Sequence, residues 1–181
     1  MALLFDEQFE ATGYDETSAD AGSDWVEVGN GTIDEDFATS SVTGAPARWG
    51  NKCLKLVPGS TGAQTTNTLD TAITGDFYCR VDVIFESVVT GDWNNFFMVR
   101  DSSYNDCFRW QHTEAGGTIK LYCYVDAVTP IPAAGYTISL DTVYRLDMYY
   151  NATTNAWEVK INGVSQGSNT NATRHVNFAA I

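Results

Sequence analysis

Apolar residues along this chain recur at every second position. The run "FYCRVDVIF" at 77–85 puts Phe77, Cys79, Val81, Val83 and Phe85 on one side. Tyr78, Arg80, Asp82 and Ile84 fall on the other. A period of two marks a half-buried strand. The pattern returns in "KCLKLV", "NFFMVR", "CFRWQH", "IKLYCYVD", "YTISL", "YRLDMYY" and "WEVKI". Clusters of Gly, Asn, Asp, Ser and Thr separate these runs, and helical periodicity is hard to find. Short alternating strands between turn residues predict an all-β fold, an antiparallel two-sheet sandwich of jelly-roll type. "LLFDEQFE" reads as a first strand, 11–51 as a loop-rich stretch, and "HVNFAAI" as a final strand. With 181 residues the chain fits a single domain over 1–181.

Register tests these faces, because a slip of one residue turns every side chain over. In "TVYRLDMYYNATTNAWEVKING" (142–163), Tyr150 is expected opposite Trp157 and Asp147 opposite Lys160. Tyr144, Leu146, Met148 and Tyr150 then point inward with Trp157, Val159 and Ile161, so this hairpin reads as scaffold. Pairing "NFFMVR" with "CFRWQH" sets Val99 opposite Phe108 and Phe97 opposite Trp110, with Phe96, Met98 and Arg100 outside. Pairing "CFRWQH" with "IKLYCYVD" around a turn at Glu114–Gly117 sets Phe108 opposite Cys123 and Trp110 opposite Leu121. Arg109 then faces Tyr122 and Cys107 faces Tyr124. Cys107 and Cys123 lie on opposite faces, which argues against a disulfide between them.

The outward positions form an unusual surface: Tyr78, Arg80, Asp82, Phe96, Met98, Arg109, Gln111, Tyr122 and Tyr124. A solvated face would be mostly Thr, Lys, Ser and Glu. Aromatic rings can stack on the C–H face of a pyranose, and planar polar groups can take its hydroxyls; ligand sites combine apolar walls with a few placed polar groups. Arg80, Asp82, Arg109, Gln111, Tyr122 and Tyr124 are therefore the candidate ligand-binding residues. The alternative is an ordinary exposed face on which Arg109 stacks on Tyr122.

Charge narrows the partners. Ten Lys and Arg stand against 23 Asp and Glu, a net −13. Nucleic acid requires basic surface to displace counterions, so DNA, RNA and anionic membranes are poor partners. No apolar run is long enough for a membrane-spanning helix, so membrane insertion is not expected. "MALLFDEQFE" lacks the basic and apolar regions of a secretory signal. The four cysteines form no C-x-x-C, and His112 and His175 are isolated, so zinc has little support. Cofactors are not expected beyond a structural Ca²⁺, for which "DEDF", with Asp34 and Asp36, and "YDETSAD", with Asp15, Glu16 and Asp20, offer oxygen-rich loops. The alternative is a solvated acidic loop. Asn30, Asn151 and Asn171 each begin an Asn-x-Thr triplet, read here as turn chemistry.

The runs "LLFDEQFEATGYDE", "GNKCLKLV", "DFYCRVDVIF", "FFMVRDSSYNDCFRW" and above all "TVYRLDMYYNATTNAWEVKINGV" resemble the concanavalin A-like lectin/glucanase superfamily, especially its laminin-G-like domains. The resemblance spans nearly the whole chain and rests on structural motifs. It implies two antiparallel sheets, one concave, with ligands on the concave side or at its edge loops. It also implies a closing strand beyond "HVNFAAI", which this domain would lack or borrow, and an open edge invites pairing. Glucanases of this superfamily carry Glu-x-Asp-x-x-Glu on one strand, and that pattern is not found here. The implied function is a non-catalytic lectin-like module that binds glycan or docks on a larger surface assembly. The alternatives are a virion decoration or adhesion subunit and a polysaccharide-cleaving hydrolase or lyase. Partners would be a glycan or surface protein, a second copy, or a capsid or tail assembly, outside a cell or on a virion surface.

Overall fold

The computed structural model describes residues 26–29, 32–46, 52–57, 63–66, 68–73, 75–88, 90–91, 93–101, 106–125, 130–170 and 178–180. The chain divides into two compact units, Met1–Leu69 and Asp70–Ile181. In the first, β1 (Val26–Gly29), β2 (Thr32–Ala38), β3 (Lys52–Val57) and β4 (Ala63–Thr66) make two antiparallel ribbons, β1 with β4 and β2 with β3. The acidic "DEDF" is therefore strand, not the loop its composition suggests. Asp34 pairs with Lys55, and the register then shifts before Phe37 meets Cys53. β-branched Thr32 and Ile33 open this strand, and the ladder outweighs the turn preference of Asp. The side chains of Asp34 and Asp36 lie outside the described residues, as do Asp15, Glu16, Asp20 and the "LLFDEQFE" segment.

The second unit is an antiparallel two-sheet sandwich. Its strands follow β5 (Thr68–Ile73), which begins at the boundary. They are β6 (Phe77–Val83), β7 (Asn94–Asp101), β8 (Asp106–Ala115), β9 (Thr118–Val125), β10 (Ile131–Ile138), β11 (Tyr144–Asn151), β12 (Ala156–Ile161), β13 (Val164–Thr170) and β14 (Phe178–Ala180). One sheet has six strands in the order β10-β9-β8-β7-β14-β5; the other has four, β13-β12-β11-β6. No α-helix occurs among the described residues. β14 lies between β7 and β5, so it is not an edge of its sheet.

Alternation fills the space between the sheets. Tyr144, Leu146, Met148, Tyr150, Trp157, Val159 and Ile161 are all buried, as the period of two requires. Tyr150 pairs with Trp157 and Asp147 with Lys160. Facing them, Val99, Phe108, Trp110, Leu121 and Cys123 are at most 1% exposed. The layers interlock through rings: Phe108 lies 5.9 Å from Phe77 and 6.1 Å from Trp157. Tyr136 of β10 meets Tyr144 of β11 at 6.3 Å.

The register departs from expectation at three places; besides a shift that sets Arg100 opposite Asp106, two bear on the site. The β8–β9 turn is the two-residue Gly116-Gly117, with φ of +59° and +81°. Two successive positive-φ residues give the tightest hairpin, a conformation glycine adopts without steric cost. The strands therefore run two residues further than a turn over Glu114–Gly117 would allow. Phe108 faces Val125, Trp110 faces Cys123, Gln111 faces Tyr122 and Arg109 faces Tyr124. The shift is even, so every side chain keeps its face. The second departure is a bulge at Phe96, between the Asn95–Gln111 and Phe97–Trp110 pairs. An extra residue on one strand re-aims its side chain. Phe96 turns inward, 5.0 Å from Phe85 and 6.2 Å from His112, rather than lying outside.

Cys79, Cys107 and Cys123 carry thiols rather than disulfides. Cys107 is fully buried although it alternates outward with Arg109 and Gln111.

Candidate functional site

The six candidate residues do not share one surface. Arg80 and Asp82 lie on β6, in the four-stranded sheet, whereas Arg109, Gln111, Tyr122 and Tyr124 lie on β8 and β9, in the six-stranded sheet. The sheets pack through their inner faces, so the two groups occupy opposite sides of the sandwich. Alternation tells inward from outward but not which sheet a strand joins. The stretch between β6 and β7 crosses from one sheet to the other, and that crossing divides the expected face in two.

The four-stranded face is closed on itself. Asp147 of β11 is only 4% exposed. Its Oδ1 accepts from the Tyr78 hydroxyl and, at 2.7 Å, from Arg80 Nε. The Arg80 guanidinium also stands 5.5 Å from the Tyr78 ring centroid. Loss of hydration first, and then the bond to Asp147, push the Tyr78 phenol up to about 12 although its residue is 41% exposed. Arg80 is held above its usual value chiefly by the Asp147 hydrogen bond. Arg145 Nε donates to Asp82 Oδ1 at 3.2 Å, and Lys160 meets Glu158 at 3.4 Å. Asn151 Oδ1 accepts from Thr153 N, Thr154 N and Thr154 Oγ1, so the Asn151-Ala-Thr triplet is turn chemistry. Asn30 and Asn171 lie outside the described residues. A shallow groove of about 450 Å³ runs beside this turn, past Tyr149, Glu158, Ser165 and Ser168. Arg80 and Asp82 thus serve cross-strand pairing.

The six-stranded face is open. Trp93, just before β7, is 53% exposed; its ring lies tilted 4.8 Å from Tyr122 and edge-on 5.9 Å from Tyr124. Tyr122 and Tyr124 alternate outward on β9 with centroids 6.5 Å apart. Burial holds the Tyr124 phenol above its ordinary value, Tyr122 adds to that, and Arg109 opposes it. It is therefore a neutral hydroxyl at neutral pH. The Arg109 guanidinium lies 5.2 Å from the Tyr124 ring centroid, not over Tyr122, because the hairpin register is two residues longer. Arg109 Nη1 donates to Asp106 Oδ2 at 2.9 Å, and Arg100 Nε takes the other oxygen at 2.9 Å. Gln111 Nε2 donates to Asn95 Oδ1. Gln111 is itself buried, so the group this pair offers to solvent is the amide nitrogen of the exposed Asn95.

Backbone geometry supports the platform. β10 breaks its ladder between the Ile131–Cys123 and Tyr136–Leu121 pairs. Gly135, at φ +73°, sits in that break against the Tyr122 ring; an added Cβ would lie 2.5 Å from Tyr122 Cζ. Only a residue without Cβ lets the backbone approach the ring so closely.

Alternation therefore put Arg109, Gln111, Tyr122 and Tyr124 on one side of one sheet, as the structure has them, but with Arg109 opposite Tyr122 instead of Tyr124. It missed Trp93, which precedes its strand and carries no periodic signal, and Asn95, beside the bulge. A tryptophan among the polar residues of "TGDWNN" was the available cue. Among the described residues, no group of three or more His, Cys, Asp or Glu side chains could hold a metal ion. Comparison with protein-family models, curated proteins and solved structures returned no match.

Proposed function

We propose that this chain is a non-catalytic, lectin-like jelly-roll module that binds glycan on the outer face of its six-stranded sheet. The resemblance to concanavalin A-like domains belongs to this proposal, and the sandwich architecture supports it. The observation that carries it is Trp93, half-exposed and packed at a tilt against Tyr122 and edge-on to Tyr124. Three neighbouring aromatic rings make a broader apolar surface than one exposed side chain, and such a surface beside a planar amide suits a saccharide ring. Asp106 is held between Arg100 and Arg109, which suits a positioning carboxylate rather than one that moves protons.

The test is a glycan array probed with and without calcium, using the wild type, Trp93→Ala and Tyr122→Ala. Retention of at least one glycan class by the wild type is expected. Both variants should lose it by about fivefold or more while keeping the thermal midpoint, since each removes an aromatic surface of ~1 kcal/mol or more. Empty arrays under both conditions would sink the reading. A second reading is an assembly role, as a virion decoration or adhesion subunit. It is favoured by β13, which ends its sheet and begins with Val164 at 64% exposure. An edge strand can accept a strand from another chain. Sedimentation that shows a concentration-independent monomer would count against it.

A further inference from the structure

We propose that two copies of this chain pair antiparallel along β6, joining their four-stranded sheets into one. The proposal does not depend on the glycan reading.

β6 ends its sheet: β11 lies on one side, and among the described residues no strand lies on the other. An edge strand presents a row of backbone N–H and C=O groups that a second strand can take. Burial marks the same opening. Leu146, Met148, Val159 and Ile161, inward on β11 and β12, are at most 1% exposed. Cys79, Val81 and Val83 pack on the same core from β6, yet each keeps partial exposure. The edge strands β13 and β10 carry no charged residue, so nothing in them fixes a register.

Charge selects the partner and the register on β6. Its outward residues are Tyr78, Arg80 and Asp82. Outward positions must face outward positions, so a two-fold axis passes through a residue rather than between two. An axis at Arg80 sets Arg80 against its own copy, and one at Asp82 does the same to Asp82; like charges directly opposite are unfavourable. An axis at Cys79 sets Asp82 against Asp76, and axes further out run β6 off its own ends. An axis at Val81 sets Arg80 of each copy opposite Asp82 of the other. Val81 then meets Val81, and Cys79 meets Val83. Within one chain, Lys160 stands opposite Asp147, Asp147 opposite Arg80, and Asp82 opposite Arg145. The dimer therefore extends each row: Lys160, Asp147 and Arg80, then Asp82 and Arg145 of the second copy. Signs alternate along the whole row. Arg80 has donors for both neighbours, because Nε alone bonds Asp147 at 2.7 Å and the side chain is 50% exposed. The axis stands normal to the sheet, so both six-stranded faces point the same way. A ligand displayed on a surface then meets two platforms at once, which raises avidity.

A ladder over Cys79–Val83 of each copy is a small interface, so a concentration-dependent dimer is expected. Sedimentation of the full chain over about two decades of concentration, up to roughly 1 mM, should show it. Amide exchange should slow at β6 as concentration rises and stay unchanged at β13. Added salt should weaken the dimer. Asp82→Lys, which sets like charges across the axis, should weaken it about tenfold or more. Val164→Lys, on the far edge, should leave it intact. Thermal unfolding checks that each variant folds, and the exchange measurement on the unmodified chain decides the matter if Asp82→Lys does not. A monomer at every concentration overturns the proposal, and so does a dimer protected at an edge other than β6. A β6 dimer indifferent to salt and to Asp82→Lys overturns the register centred on Val81.

Discussion

The two outer faces of the sandwich are built from similar residues and do different things. Each carries tyrosines, arginines and an aspartate. On the four-stranded side, Tyr78, Arg80 and Asp147 satisfy one another, and Arg145 closes on Asp82. On the six-stranded side, Trp93 projects from Tyr122 and Tyr124, half-exposed, and the buried Nε of Arg109 has no hydrogen-bond partner. Composition therefore does not identify a binding face; what distinguishes the two is whether the polar groups are already spent. Cross-strand pairing explains the difference. On the four-stranded sheet, β6 and β11 place Arg80 opposite Asp147 and Asp82 opposite Arg145. Opposite charges in register neutralise each other. On the six-stranded sheet, β8 and β9 place Arg109 opposite Tyr124 and Gln111 opposite Tyr122, and a phenol ring cannot occupy all the donors of a guanidinium.

The strongest way to break the comparison is to remove what both faces share. Phe108 is fully buried and contacts the rings of Phe77, Phe97 and Trp157. Phe108→Ala should cost about 3–5 kcal/mol in urea unfolding and weaken both faces together. A cost below ~1 kcal/mol would mean that the sheets do not depend on this contact. Next is Asp147→Leu, which strips the Tyr78 hydroxyl and Arg80 of their shared acceptor. It should cost about 1–3 kcal/mol and leave saccharide affinity unchanged. A loss of affinity would show that the two faces are coupled.

Gly135→Ala has the opposite signature. A side chain at φ +73° that also collides with Tyr122 should cost about 1–2 kcal/mol and displace the ring. Saccharide binding should fall, in parallel with a changed tyrosine fluorescence signal. The smallest effect concerns pH. His112 packs between Phe85 and Phe96 in the core beneath the six-stranded sheet, and burial lowers its pKa. A histidine kept neutral in the fold protonates first in the unfolded chain. Its contribution is therefore complete above about pH 6.5 and is lost as pH falls through the lower folded value. The unfolding free energy from urea titrations should decline below pH 6.5 by at most ~1.4 kcal/mol per pH unit, and His112→Phe should flatten that slope. An unchanged slope in the variant would place the acid sensitivity elsewhere.

Much of this was legible in the strand pattern, and the failures have physical causes. The hairpin at 142–163 was readable to the residue, because its turn and its alternation agree on one register. The β8–β9 hairpin was readable only in its faces. Two glycines tightened the turn, moved every partner by two and exchanged Tyr122 for Tyr124 beneath Arg109. Phe96 obeyed the bulge rather than the alternation. Asp147 was visible as an outward position opposite Lys160, yet its burial depends on Tyr78 and Arg80 closing over it from a strand far away in sequence.

Period-two alternation by itself determined that this chain makes strands, most of the side chains that fill the core (Phe96 and Cys107 excepted), and that Arg109, Gln111, Tyr122 and Tyr124 share a face. Those follow from local geometry, since successive side chains on an extended backbone must alternate. Only the tertiary structure decided that β6 and β8 belong to different sheets. It alone set Trp93 against Tyr122 and Tyr124 and held Arg109 between Asp106 and the Tyr124 ring. These are properties of strand order and of chain segments meeting over long sequence separations, which no local pattern encodes.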